Sequence, residues 1–319
     1  MPSTPLRRAA YALALFTLTC GQPSSNEPDD GGAAADGGAA KDSGAAADGG
    51  AVSDGGAAAD ASTGADAATS PGDAGLPIFS FIVTSLKAMQ ELSGNADGFG
   101  GDLRYGETGA GAGLRGADKI CAAVAERGMQ GASAKQWRAF LSVSADQSGK
   151  QVNAIDRIGS GPWYDRLGRL FANNKSELFY DRPLNANSTI KNDFPNEYGV
   201  PNHNPDLTGK VDNHDILTGS NAQGKLYSSS ATCKDWTTSD GSSANGKPRV
   251  GHSWPTAGMG RGGGGGGGGG SMANWMSAID EAGCAPDVYL VDDGAAKPGT
   301  DGVGSGGGYG GLYCFALQP

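Results

Sequence analysis

Histidine is scarce in this sequence, with three residues in 319 (His203, His214 and His252). That leaves few groups able to move protons near neutral pH. Basic side chains are outnumbered, 24 against 34 acids, for a net charge of −10. A chain with this balance lacks the Lys/Arg excess on which phosphate-backbone binding runs, so nucleic acid is excluded as a partner. No apolar run approaches the ~18–20 residues that a membrane-spanning helix needs. None of the five cysteines falls in a CxxC spacing, which argues against a zinc–thiolate site. What is abundant is glycine, with 56 residues or about 18% of the chain against a usual ~7%. An interior glycine costs a helix roughly 1 kcal/mol, so a helix-only architecture is excluded as well.

Residues 1–20 read as an export signal. Arg7 and Arg8 form a positive n-region, and Ala9 to Leu18 form an apolar core too short to span a bilayer. Cys20 follows directly, which resembles the bacterial lipoprotein signal, where the cysteine becomes the acylated N-terminus. The pattern departs from that signal at Thr17 and Thr19, where Leu and a small Gly, Ala or Ser are usual. The alternative is ordinary secretion. Several acyl chains would give a stable anchor where one is marginal. The expected location is therefore a bacterial cell envelope, at the outer membrane or cell surface, with the lipid anchor as the only membrane attachment.

Residues 21–76 are of low complexity. Asp30, Asp36, Asp42, Asp48, Asp54, Asp60 and Asp66 recur every six residues among Gly and Ala. Ten acids face one base, Lys41, and no aromatic side chain is present. Burial cannot offset chain entropy in such a segment, so it is expected to be a disordered, self-repelling tether. A calcium-binding repeat solenoid would need an apolar residue in each repeat to face a core, and none is there.

The remaining body, residues 77–319, is nearly neutral at −3 once those segments are set aside, and it holds all five tryptophans. Ile78 to Thr84 reads as a buried strand. Gly94 to Gly113 reads as a loop. Ala117, Ile120, Cys121 and Val124 then fall on one helical face, bracketed by Gly116 and Gly128, which predicts a helix from Ala117 to Arg127. Trp137 to Val143 reads as a second strand, and Trp163-Tyr164 and Arg169-Leu170-Phe171 as a hairpin around Asp165 to Gly168. Residues 183–225 are polar and irregular. Val288 to Val291 and Leu312 to Leu317 read as further strands. An apolar first strand and an apolar last strand predict that the two ends of the body pair. The nine consecutive glycines Gly262 to Gly270 read as a mobile insertion, with neither the strand nor the lysine of a phosphate-binding loop.

Cys121, Cys233, Cys284 and Cys314 make an even count in an exported body, which predicts two disulfides, and four cysteines allow three pairings. Pairing Cys121 with Cys314 would tie the early helix to the last strand. Cys233 and Cys284 would then close the loop-rich second half.

An ordered set of short motifs runs through this body. Gly116-Ala117-Asp118 precedes Cys121, and Trp137-Arg138-Ala139-Phe140-Leu141-Ser142 follows, with Asp156-Arg157, Gly168 and Leu170-Phe171 after it. Then come Thr218-Gly219-Ser220, Gly224-Lys225-Leu226, Cys233-Lys234-Asp235-Trp236 and Tyr313-Cys314-Phe315. The set, spanning roughly residues 78–317, resembles the endostatin-like branch of the C-type-lectin fold. The whole chain also looks like bacterial surface lipoproteins carrying such a domain behind an Asp/Ala/Gly-rich tether. The resemblance implies an α+β, C-type-lectin-like mixed fold with two nested disulfides, first cysteine to fourth and second to third, preceded by a disordered linker.

Candidate chemistry is sparse. The densest polar stretch, Asp193 to Asp215, offers oxygen ligands of the kind Ca²⁺ takes, with Asp206, Asp212, His214 and Asp215 as candidate metal ligands. Sugar-binding C-type lectins use a Glu-Pro-Asn or Gln-Pro-Asp triplet and a later Trp-Asn-Asp. Here Pro195-Asn196-Glu197 and Asn204-Pro205-Asp206 are out of that order, and ordinary turn chemistry accounts for the same residues. Zinc through His203, His214 and Asp215 is a further candidate. Ser253, His214 and Asp215 form a catalytic set on paper, with no nucleophile-elbow signature, and the plain reading of the histidines is solvent-facing polarity. Endostatin-like domains bind heparin through arginines. Here Arg104, Arg115, Arg138, Arg157, Arg166, Arg169 and Arg182 are weighed for that role, several of them expected instead to pair with nearby Asp. Endostatin's N-terminal zinc histidines have no counterpart in Leu76 to Thr84.

The leading expectation is a non-enzymatic surface module for recognition or adhesion, with an extracellular glycan or protein as ligand and no catalytic residues or required cofactor. The alternatives are a secreted hydrolase using the 193–215 loops and a structural envelope protein with no small ligand.

Overall fold

The described residues of the computed structural model are 78–203, 213–254, 273–290 and 300–319. In chain order they form β1 (Phe81–Val83), α1 (Leu86–Ser93), α2 (Ala112–Gly128), β2 (Trp137–Ala139), α3 (Ala154–Arg157), β3 (Trp163–Tyr164) and β4 (Leu170–Ala172). Then follow β5 (Asp215–Leu217), β6 (Arg249–His252), β7 (Ile279–Asp280) and β8 (Gly308–Ala316). This is a mixed α+β architecture. The signal segment with Cys20, the tether, Asp206, Asp212 and the run Gly262 to Gly270 lie outside the described residues.

Strand β8 is the axis of the six-stranded sheet, whose main path runs β1-β8-β5-β6-β7. All nine of its residues are buried. Its second half pairs antiparallel with β1 on one side, Phe81 opposite Phe315, and with β2 on the other, Ala139 opposite Cys314. Its first half runs parallel to β5, Ile216 opposite Gly311. The first and last strands of the body are thus paired. The β3–β4 hairpin stands apart as a two-stranded sheet, joined to β1 through the bond from Ser80 N to Tyr164 O (2.8 Å).

Aromatic side chains fill one face of the sheet: Phe81, Phe140, Trp163, Phe171, Phe194, Trp275, Tyr313 and Phe315 form one cluster with Ile216. Helix α2 covers the other face with Ala117, Ile120, Cys121 and Val124. Buried tryptophans need a partner for the indole N–H. Trp137 donates to Ala132 O, Trp236 to Ser142 O and Trp275 to Leu178 O, at 2.8, 2.9 and 3.0 Å.

Helix α2 begins at Ala112, five residues before the boundary the glycines imply. Gly113 and Gly116 are interior to it and act as contact residues. A Cβ on Gly116 would lie 2.1 Å from both Leu103 O and Arg104 O, and one on Gly113 would lie 2.2 Å from Asp235 O. The first turns of the helix therefore press directly on backbone, an approach only glycine permits.

Other elements also differ from expectation. Only Phe81–Val83 of the first strand and Trp137–Ala139 of the second are paired as strands. The irregular stretch 183–225 contains β5, whose three residues are buried. Residues 288–290 are not a strand. Helix α1, absent from the sequence pattern, is built by its caps. Ser85 Oγ accepts from Ala88 N, Glu197 accepts from Ser85 N and Oγ, and Gly94 closes the helix in the left-handed region at φ 68°.

The disulfides are Cys121–Cys314 and Cys233–Cys284, so the second bridge is nested within the first. They close intervals of 193 and 51 residues. In the chain-entropy description such loops stabilise by about 4–5 kcal/mol each, and measured native bridges by about 2–5 kcal/mol. The inner bridge also anchors an unusual turn. Cys233, Lys234, Asp235 and Trp236 all hold positive φ, from 47° to 64°. Left-handed backbone costs about 1–2 kcal/mol per non-glycine residue. The turn is offset by Asp235, whose carboxylate accepts from Ser144 N at 2.7 Å and Ala145 N at 3.1 Å.

Gly116→Ala should therefore destabilise the protein by at least about 3 kcal/mol, because the methyl collides with two backbone carbonyls that cannot yield cheaply. Ala117→Gly, one residue on, should cost only about 1 kcal/mol from helix propensity, plus the loss of one buried methyl. Urea denaturation of both variants checks the order. Equal losses would remove the glycine-contact explanation.

Candidate functional site

The described titratable groups with the richest chemistry meet where β5, β6, β7 and the start of β8 come together. The register sets Asp215 opposite His252 on one side and opposite Gly308 on the other. His214 precedes Asp215, and Glu281 directly follows β7. His252 Nε2 lies 2.9 Å from Asp215 Oδ1, and His214 Nε2 lies 3.3 Å from the same oxygen. The two imidazoles approach at 78°, with ring centres 4.1 Å apart. Candidate ligand atoms of His214, Asp215 and His252 lie within 4.8 Å of one another.

Glu281 completes the cluster. Its Oε2 accepts from Ser305 Oγ at 2.5 Å and from Gly306 N at 2.8 Å, and its carboxyl group faces Asp215. Glycine at 306 is required by the packing: a Cβ there would sit 2.6 Å from Asp215 Oδ2. All four polar residues are at most 1% exposed.

Electrostatics follows from that burial. Desolvation works to raise the Asp215 carboxyl, but the facing His214 and His252 outweigh it and hold it below the usual carboxylate range. Desolvation, and then the charge of Asp215, pushes Glu281 well above its ordinary value. Behind the cluster, Arg182 Nη1 donates to His252 O at 2.6 Å, and its guanidinium lies over the Phe194 ring at 5.0 Å. Burial lowers the Arg182 guanidinium to about 10.

Of the residues expected from sequence, the structure brings His214 and Asp215 together and adds His252, which the plain reading had placed in solvent. All three are buried. His203 is not part of the group. Its Nδ1 pairs with Asp193 Oδ2 at 2.6 Å, and its ring stacks on Trp254 with centres 3.8 Å apart. The zinc candidate therefore changes membership, with His252 replacing His203. The Ser253–His214–Asp215 set does not assemble as a relay, because Ser253 Oγ donates to the backbone oxygen of His214 at 3.3 Å.

Among the described residues of the oxygen-rich stretch, the polar side chains serve turns and packing. Asn196 Oδ1 accepts from Tyr198 N, Glu197 caps α1, and Asn202 Nδ2 donates to Tyr309 Oη. The arginines are largely paired as expected: Arg104 with Asp102, Arg115 with Glu107, Arg157 with Asp118 and Arg169 with Asp165. Glu281 and Gly306 carry no sequence signal of their own, and only the sheet register unites them with Asp215.

No family model matches this chain, and no curated protein matches it.

If Glu281 is held protonated by its surroundings, folding should favour the protonated acid. The unfolded chain releases that proton above the ordinary glutamate range, so this stability is full below that range and is lost as pH rises towards the folded value. In metal-free buffer, Glu281→Gln should flatten the fall in urea midpoint between pH 5 and pH 8 while keeping the fold. An unchanged pH slope in the variant would show that Glu281 is ionised in the native protein.

Proposed function

We propose that residues 77–319 are a non-enzymatic recognition or adhesion module of C-type-lectin-like, endostatin-like type, exported and carried on the acidic tether from an acylated Cys20. The nested bridges, the pairing of the body's first and last strands, and the ordered motifs support the fold assignment. No enzyme need be invoked for the polar cluster, which is walled off from solvent.

One observation carries the recognition reading. Eight large hydrophobic side chains are exposed among the described residues, and six of them come from one stretch: Leu167, Phe179, Tyr180, Leu184, Tyr198 and Val200. Leu167, at the tip of the β3–β4 hairpin, is 60% exposed and packs against the turn at Gly199, between Tyr198 and Val200. Leu167 and the turn that carries Tyr198 and Val200 thus bring exposed apolar side chains together, and a contiguous apolar patch marks an interaction site. Tyrosine in particular combines contact area with a polar tip suited to glycan or protein surfaces.

The test is binding by the full exported chain on glycan arrays and extracellular protein panels. A ligand found there should bind about tenfold or more weakly to Leu167→Ser and Tyr198→Ala variants, with thermal midpoints unchanged. The reading fails if no ligand is retained, or if binding ignores both substitutions. Hydrolytic turnover that disappears in folded His214→Ala and Asp215→Ala variants would establish the hydrolase instead.

A further inference from the structure

We infer that His214, Asp215 and His252 form a binding site for one divalent first-row transition ion, with Zn²⁺ as the best fit. This inference does not depend on what the outer surface recognises. Its first support is spacing. With metal–donor bonds of about 2.0–2.1 Å, neighbouring donors lie about 3.3 Å apart in a tetrahedral shell and about 2.9 Å apart in an octahedral one. The two imidazole nitrogens stand 3.3 and 2.9 Å from one carboxylate oxygen. The candidate donor atoms of the two histidines and the aspartate all lie within 4.8 Å of one another, close enough for one ion to draw them together.

The second support is the close packing that holds the carboxylate in place. Gly306 stands where any side chain would strike Asp215 Oδ2, at 2.6 Å from an added Cβ. The third is the surrounding set of groups. Glu281 is fixed by Ser305 and Gly306 and faces Asp215, so two carboxyl groups confront each other where solvent does not reach. Glu281, hydrogen-bonded to Asp215, is an outer partner of the kind that orients a ligating carboxylate.

The donor set selects the class of ion. Two imidazoles and a carboxylate suit zinc, iron, nickel or copper, whereas Ca²⁺ and Mg²⁺ take oxygen shells of six or more ligands. Thiolates take no part, because all four cysteines of the body are in disulfides. With Asp215 on β5, His214 just before it and His252 on β6, a bound ion would clamp these two strands together.

The experiment uses the full exported chain without a histidine tag, stripped by chelator and titrated with ZnCl₂, CoCl₂ and CaCl₂. The expected result is one Zn²⁺ or Co²⁺ retained per chain, a thermal midpoint raised by Zn²⁺ and unmoved by Ca²⁺, and visible Co²⁺ bands of low coordination number. His252→Gln should weaken Zn²⁺ binding about tenfold or more, while His203→Ala, in the separate pair with Asp193, should leave it unchanged. Should His252→Gln fail to fold, X-ray absorption at the zinc edge of the unaltered protein decides, with two imidazoles in a nitrogen/oxygen shell expected. The inference is overturned if the folded protein retains no ion, if the shell lacks imidazole, or if His203→Ala rather than His252→Gln abolishes binding.

Discussion

Burial of all nine residues of β8 leaves its backbone N–H and C=O groups dependent on protein partners, since water does not reach them. That requirement organises the described body. One edge of the strand's second half is met by β1 and the other by β2, while the first half is met by β5. Both faces must also be apolar, which explains the unbroken run Leu312 to Ala316, with Cys314 bridged to α2 on one face and Tyr313 and Phe315 in the aromatic cluster on the other. The outer bridge fixes the helix to this strand by covalent bond where a glycine-rich chain has few side chains with which to do so.

The same glycine content that weakens the chain locally is what allows this packing. Gly113 and Gly116 let α2 rest on backbone, and Gly306 and Gly308 let the β8 entry lie against Asp215. At each of these places the missing side chain brings two backbones, or a backbone and a carboxylate, closer than alanine would. The polar cluster is a consequence: β5 is drawn in beside a fully buried strand, so the residues at its start, His214 and Asp215, go into the interior with it. Their charge is then met by His252 across the sheet and by Glu281.

The elements legible in the sequence are those whose signal is local. The face formed by Ile120, Cys121 and Val124 announces a helix, the apolar runs at Phe81 and Leu312 announce strands, and the even cysteine count in an exported chain announces bridges. The start of α2 is hidden because Gly116 signals a break to propensity, whereas its role is set by Leu103 and Arg104, which lie beyond the local sequence. Strand β5 is hidden because Asp215-Ile216-Leu217 is short and begins with an acid. The site is half legible. His214 and Asp215 stand in a conspicuously polar stretch, but His252 and Glu281 reach them only through strand register, a long-range property that no local pattern carries.

The dependence of the sheet on β8 and its bridge is most directly tested by native-state amide hydrogen exchange on the intact protein and on a Cys121→Ala/Cys314→Ala double variant. The account predicts the slowest exchange at Leu312 to Ala316 in the intact protein. In the double variant, protection should fall together in β8, β5 and β6. Exchange in β8 as fast as in the edge strand β7, or β5 and β6 keeping full protection once the bridge is gone, would contradict it.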